Sequence, residues 1–387
     1  MIDTLKKDIR LYNAFCFFIG FYVANGTAVL FARELGLTYS HIFILTGVYM
    51  LMFILFEVPT GAVADLIGRK KTMMIGCFLL TGAAIASGAS NNFWQLFASY
   101  FLWACGFSLI SGSGEALLYD RVADDQKFSQ LIGKAGFYSI IGTALAGIAG
   151  PYLFNINFRW AYFGSAIPFF IAGLAINFFH EQFTAKGFTI KNQINQIKTG
   201  FQIGWQNKYI LWSTGVLALG FAVSYTFSNI YQPYLLGIGF PVKMFSAILP
   251  AMFIVQAAGS MSFGKLLRFR ENRLFMIGIL GIAIIIALLG LINIQIALIF
   301  VLAYMFLEGV NRPLVSAYAN RHLDSGTRAT VISVQSMIGT ILAAVMLFIT
   351  GFLTDRIGIN NVLLVLSGFV ALIGITLLVS KPKNEIG

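Results

Sequence analysis

Apolar residues along this chain come neither in strict alternation nor in the three-and-four spacing of an amphipathic surface helix, but in unbroken runs. Twelve runs can be drawn, near residues 9–32, 41–64, 72–90, 94–118, 131–154, 160–179, 208–236, 243–264, 273–291, 294–315, 328–350 and 361–380. About 20 apolar residues rising ~1.5 Å each cross the ~30 Å hydrocarbon core of a bilayer, so each run predicts a transmembrane helix. A closed β-barrel is the other way to span a membrane, but it needs an alternation that these runs lack.

The polar punctuation is uneven. One long stretch, HEQFTAKGFTIKNQINQIKTGFQIGWQN at 180–207, divides the runs six and six. It predicts a six-helix bundle over 1–180, a basic cytoplasmic linker over 181–207, part of it an amphipathic surface helix, and a second bundle over 208–387. The halves repeat each other. SIIGTALAG at 139–147 returns as SMIGTILAA at 336–344, GFYV at 20–23 as GFAV at 220–223, and LGL at 35–37 as LGI at 236–238. The offsets are 197, 200 and 201 residues, near half the length of the 387-residue chain. The fold expected is all-α, twelve transmembrane helices in two pseudo-symmetric six-helix bundles around a central cavity.

Composition agrees: 58% of residues are hydrophobic and 11% charged, against roughly a quarter charged in a soluble domain. A net charge of +11 would suit a nucleic-acid partner, but its distribution argues otherwise. With the N-terminus inside, 22 of the 26 Lys and Arg fall in inner loops, tails and helix ends, while Arg33, Arg159, Lys243 and Arg356 fall outside. The positive-inside rule then places both termini in the cytoplasm, and the expected location is a cytoplasmic (inner) membrane. The first run is too long for a signal-peptide core. Cys16, Cys77 and Cys105 lie inside apolar runs, without metal or disulfide spacing.

Between runs 2 and 3 stands EVPTGAVADLIGRKK, residues 57–71. Gly61, Asp65, Gly68, Arg69 and Lys70 match G-x-x-x-D-x-x-G-[RK]-[RK], the inner-loop signature of the major facilitator superfamily, which the chain resembles over essentially its whole length. Gly61 permits close helix approach, Gly68 the turn, and Asp65 is free to face Arg69 or a neighbouring helix N-terminus. Asp120 is expected to join this ionic cluster through Arg69 or Arg121, giving an inner gate that latches and releases. The plain alternative is a solvated turn. The equivalent segment of the second half, GKLLRFRENR at 264–273, keeps the basic residues and lacks the Asp.

A second resemblance, GTALAGIAGPYL in run 5 with Gly142, Gly147, Gly150 and Pro151, is to drug and tetracycline antiporters, although Tyr152 to Asn155 replace the Gly pair that follows the Pro there. The mid-span-4 arginine common in such antiporters is absent; Leu102 stands near its place.

Ionisable residues inside membrane runs are functional candidates by default. Glu57, Glu115, Glu308 and Arg312 are the coupling candidates, Glu308 and Arg312 sharing a face four residues apart. The competing reading is a static, mutually neutralising pair. Tyr22, Asn25, Tyr225, Ser228, Asn229, Gln232, Gln256, Tyr304 and Gln335 are substrate-cavity candidates, against the alternative of interhelical hydrogen bonding.

No G-x-x-x-x-G-K-[ST] loop, H-E-x-x-H or G-x-S-x-G motif occurs, so neither an ATP-driven pump nor a membrane enzyme is expected, and no cofactor. His41, His180 and His322 lie at loops or span ends, away from any metal-carrying cluster. The resemblance implies a monomeric secondary transporter, exporting a small amphipathic solute by proton antiport. The alternatives are a symporter or facilitator taking up a nutrient or metabolite, and a lipid flippase. The partners expected are the small-molecule substrate, protons or another coupling ion, and membrane lipids, with no nucleic acid.

Overall fold

The computed structural model describes residues 2–122, 124–181, 190–266, 268–323 and 328–382. The described residues form helices and connecting turns, with no strand among them. Eleven helical segments among them are long and apolar enough to cross a bilayer. The twelfth run is present too: α13 (Arg328–Val379) holds the last two runs in one element, broken only at Gly358, whose φ of 80° is open to glycine and strained for other residues.

The chain divides into two compact units, Met1–Leu37 with Val48–Lys191 and Val242–Leu249, and Thr38–Gly47 with Asn192–Pro241 and Pro250–Gly387. The first holds α1 (Ile2–Gly20), α2 (Ala28–Glu34), most of α3 (Tyr39–Ile67), α4 (Arg69–Ala89), α5 (Phe93–Val122), α6 (Asp125–Ile156) and α7 (Trp160–Asn177). In it α4 packs on α5 and α7, and α1 on α6. Run 1 was expected as one helix, and here the structure differs. α1 ends at Gly20, a 3₁₀ turn covers Val23–Gly26, and α2 follows. The break leaves backbone groups to satisfy inside an apolar bundle, and Ser165 Oγ meets one of them by accepting from Ala24 N at 2.9 Å. Tyr22, at the break, packs on Trp103, with ring centroids 4.7 Å apart, and on Phe169.

The second unit holds the first turns of α3, α8 (Ile190–Gln206), α9 (Lys208–Gly237), most of α10 (Phe245–Leu266), α11 (Glu271–Leu291), α12 (Ala297–Arg321) and α13. The linker segment 182–189, which includes Lys186, lies outside the described residues. Trp212, Phe275, Ile279, Leu314 and Tyr318 form part of this unit's core.

The internal repeat has a packing cause. In lipid, helices associate by van der Waals fit, so small residues mark contacts. A Cβ on Gly142 of α6 would lie 2.2 Å from the Phe17 carbonyl and 3.0 Å from Phe21 N. Gly339, its counterpart in the repeated segment, faces Ala218 and Phe221 of α9. Each glycine seats the fifth helix of its half on the first.

Candidate transport site

The signature loop turns at Gly68, φ 95°, which ends α3 and opens α4. The first backbone N–H groups of a helix have no partner within it. At α4 the Glu181 carboxylate takes two of them, accepting from Arg69 N at 2.7 Å and Lys70 N at 3.2 Å, where the helix dipole favours negative charge. Arg69 Nη1 donates to Asp120 Oδ2 and to the Ala116 carbonyl, both at 2.5 Å. Beside them Arg121 Nε donates to Asp8 Oδ2 at 2.6 Å. Asp65, half-buried near the end of α3, makes no hydrogen bond or ion pair among the described residues. The signature is thus a live ionic cluster whose aspartate stands apart from it.

Glu181 escaped the sequence reading because it sits 112 residues from Arg69 in what reads as linker. Asp355 escaped it too. Gly351, Asp355 and Gly358 reproduce the G-x-x-x-D-x-x-G spacing of Gly61, Asp65 and Gly68. The Asp355 carboxylate accepts from Tyr39 N at 2.9 Å and Ser40 N at 2.7 Å, the first residues of α3. A carboxylate therefore caps α3 at one end and another caps α4, which starts where α3 stops. In the second unit Glu271, within the segment that lacks an Asp, accepts from Lys381 Nζ at 2.7 Å and pairs with Arg321.

Glu308 lies on α12, 8% exposed. Ser224 Oγ of α9 donates to its Oε1 at 2.7 Å, while Arg312 Nε stands 3.9 Å away with its side chain 71% exposed. Tyr304, one turn earlier, is buried and stacks on Phe227 with centroids 3.8 Å apart. Glu57 on α3 and Glu115 on α5 are exposed.

The polar candidates separate by what they do. Gln335 is buried and donates to Ser213 and Thr214 of α9 at 3.3 and 3.0 Å, so it ties α13 to α9. Gln232, also buried, donates to the Tyr231 hydroxyl at 3.0 Å. Ser228 and Asn229 donate to their own helix, at Ser224 O and Tyr225 O. Tyr225, half-buried, packs against Phe221. Asn25 is exposed at the 3₁₀ break, and Gln256 is half-buried where Gly309 closely approaches its carbonyl. Ser224 was missed although it stands one turn before Ser228 on the stripe already noted; the spacing could have found it.

The profile of the Major Facilitator Superfamily matches residues 11–345. The MFS-type transporter YxaM of Bacillus subtilis is 25% identical over 85% of this chain and 84% of its own length. The quinolone resistance protein NorA of Staphylococcus aureus is 23% identical over 58% of each chain. The multidrug efflux protein YfmO of Bacillus subtilis is 26% identical over 38% of this chain and 34% of its own. Among solved structures, the nucleoside transporter NupG superposes with a TM-score of 0.79 at 12% identity, covering 98% of this chain and 100% of that one. A bacterial homologue of the human lysosomal transporter Spinster gives 0.79 at 14% identity, over 98% and 96%.

Proposed function

The chain belongs to the major facilitator superfamily, and from that premise we propose that it exports a small amphipathic solute across the cytoplasmic membrane by proton antiport. As a multi-pass membrane transporter of this family it works by alternating access, with Glu308 as the proton-carrying residue and Arg312 as its switching partner. The observation that carries this reading is the Ser224–Glu308 bond at 2.7 Å beside a loosely placed Arg312 at 3.9 Å. A serine hydroxyl donates to a carboxylate and accepts from a carboxylic acid, so it supports both protonation states. An exposed guanidinium on a long side chain can change partner at little cost. Export is supported by the efflux and resistance names of two relatives. The cluster around Arg69 and Asp120, together with Asp65, acts as the inner gate.

The test is a proteoliposome assay with an imposed pH gradient and a panel of cationic, neutral and anionic amphiphiles. Gradient-dependent movement of at least one, collapsing with a protonophore, is expected. Uptake indifferent to the gradient for every transported solute would reject antiport.

A further inference from the structure

At the end of the second unit where α9 and α11 start and α12 and α13 stop, one lysine is set in an aromatic box. Trp212 of α9, Phe275 of α11 and Tyr318 of α12 form its walls, and all three are buried. Two of the three ring pairs stand close to perpendicular: Trp212 and Phe275 meet at 89° with centroids 4.9 Å apart, Phe275 and Tyr318 at 88°. Lys381 Nζ lies 4.7 Å from the Phe275 centroid, 5.2 Å from that of Tyr318 and 5.5 Å from that of Trp212. It also donates to Glu271 Oε1 at 2.7 Å and to Asn272 Oδ1 at 2.6 Å. Aromatic faces carry negative charge density, so walls of this kind attract an ammonium, most strongly where water is excluded.

Neutralising a charge does not require this box. Glu271 already pairs with Arg321, whose side chain is 57% exposed, whereas that of Lys381 is 8% exposed. Fastening the last helix does not require it either. Lys381 stands 200 residues after Glu181, within the 197–201 offsets of the internal repeat, and Glu181 fastens its own half on the start of α4 with two backbone hydrogen bonds. In the second unit Trp212 Nε1 donates to the Leu377 carbonyl at 2.7 Å, which holds the end of α13 without Lys381. Lys381 lies past the last helical residue, Val379, so it can leave the box by a turn of residues 380 and 381 with the helix in place. One wall carries a further unused group, since the Tyr318 hydroxyl is buried with no hydrogen-bond partner among the described residues.

We propose that Trp212, Phe275, Tyr318 and Glu271 form a binding site for organic cations that carry a primary alkylammonium group, and that Lys381 is its built-in occupant. The bonds from Nζ to Glu271 and Asn272 select an ammonium with N–H donors over a quaternary one. A free alkylammonium competes with the tethered one, and when it wins, residue 381 is released from the start of α11. Lys381 thus holds the site shut until the free cation exceeds the effective concentration of the tether, on the order of mM. The contact is autoinhibitory, at the cytoplasmic end of the unit in the expected topology. The assignment does not depend on which solute is exported or on the role of Glu308.

The probe is n-butylammonium, which reproduces the stem and ammonium of lysine, and n-butanol is its neutral control. The full chain in neutral detergent is followed by equilibrium dialysis with radiolabelled probe and by thermal unfolding. Lys381→Ala empties the box and should bind n-butylammonium about tenfold or more tighter than wild type, because no tethered ammonium competes. The probe should raise the unfolding midpoint of that variant, and n-butanol should not. Adding Glu271→Gln, which removes the carboxylate of the box, should abolish both gains. Lys381→Met keeps an apolar stem in the box and should bind no more probe than wild type. Binding elsewhere in the protein would appear equally in wild type and in every variant. A further measurement needs no variant: hydrogen exchange over residues 378–382 of the wild-type chain should quicken with n-butylammonium and stay unchanged with n-butanol. Equal binding by wild type and Lys381→Ala, gains that survive Glu271→Gln, or wild-type exchange indifferent to the probe would each overturn the assignment.

Discussion

Ser224 donates to Glu308 at 2.7 Å, nearer than the 3.9 Å that separates Glu308 from Arg312, its charge partner on the same helix. The carboxylate is therefore anchored by a neutral group on another helix. Removing the hydroxyl takes away a bond to a charged group worth about 1.5–3 kcal/mol. Ser224→Ala should lower gradient-driven transport by roughly tenfold or more while leaving expression and insertion intact. Unchanged transport rates in proteoliposomes would detach Ser224 from the coupling site.

Arg312 makes a contrasting case. With its side chain 71% exposed, it belongs to the class of ion pairs worth ~1 kcal/mol or less. Arg312→Gln should shift the thermal unfolding midpoint in detergent only slightly, yet impair driven transport. A large fall in the midpoint would favour the static neutralising pair.

At the inner gate, folding and transport should separate. Asp65 has no partner among the described residues, so Asp65→Asn should leave thermal stability within about 0.5 kcal/mol of wild type. Its transport rate should nonetheless collapse, if Asp65 acts in a conformation other than this one. Near-normal transport by a well-expressed variant would remove Asp65 from the gate.

Glu181 and Asp355 are structural by the same geometry. Each holds two backbone N–H groups at a helix start, and losing such a cap costs ~0.5–2 kcal/mol. Glu181→Ala and Asp355→Ala should each lower the unfolding midpoint measured by tryptophan fluorescence, whereas Glu34→Ala, on an exposed helix end, should not. Equal midpoints for all three would show that the caps contribute nothing.

The gross fold was legible because bilayer thickness and lipid polarity act on every residue of a run, so twelve runs stood out without any tertiary information. The break after Gly20 was only partly legible: Asn25-Gly26 is a turn-favouring pair inside GFYVANGTAV, but Ser165, which takes up the freed Ala24 N–H, is distant in sequence. The candidate site divides the same way. Charges in apolar surroundings announce themselves, as Glu308 does, while their neutral partners do not. Ser224 stands on the polar stripe of α9, but its bond to Glu308 is visible only when α9 and α12 are seen together. Gln335 shows the reverse error open to such reading, since a polar residue in a span is also what holds two helices together.

Orientation can be checked independently of transport. On a cysteine-free background, Lys198→Cys and Lys243→Cys place single thiols at exposed positions on opposite sides of the expected topology. A membrane-impermeant maleimide applied to intact cells should label 243 and spare 198. The reverse pattern would invert the basic asymmetry on which the cytoplasmic assignment rests.

The central claim is that Glu308 carries the coupling proton, and one paired measurement addresses it most directly: pH-gradient-driven accumulation and gradient-free exchange of the same substrate, in proteoliposomes of Glu308→Gln and of Glu308→Gln with Arg312→Gln. A neutral amide at 308 mimics the protonated state and cannot cycle. Both variants should therefore exchange substrate at rates near wild type and accumulate none. Recovery of driven accumulation in the double variant would contradict the assignment and leave Glu308 and Arg312 as a structural pair.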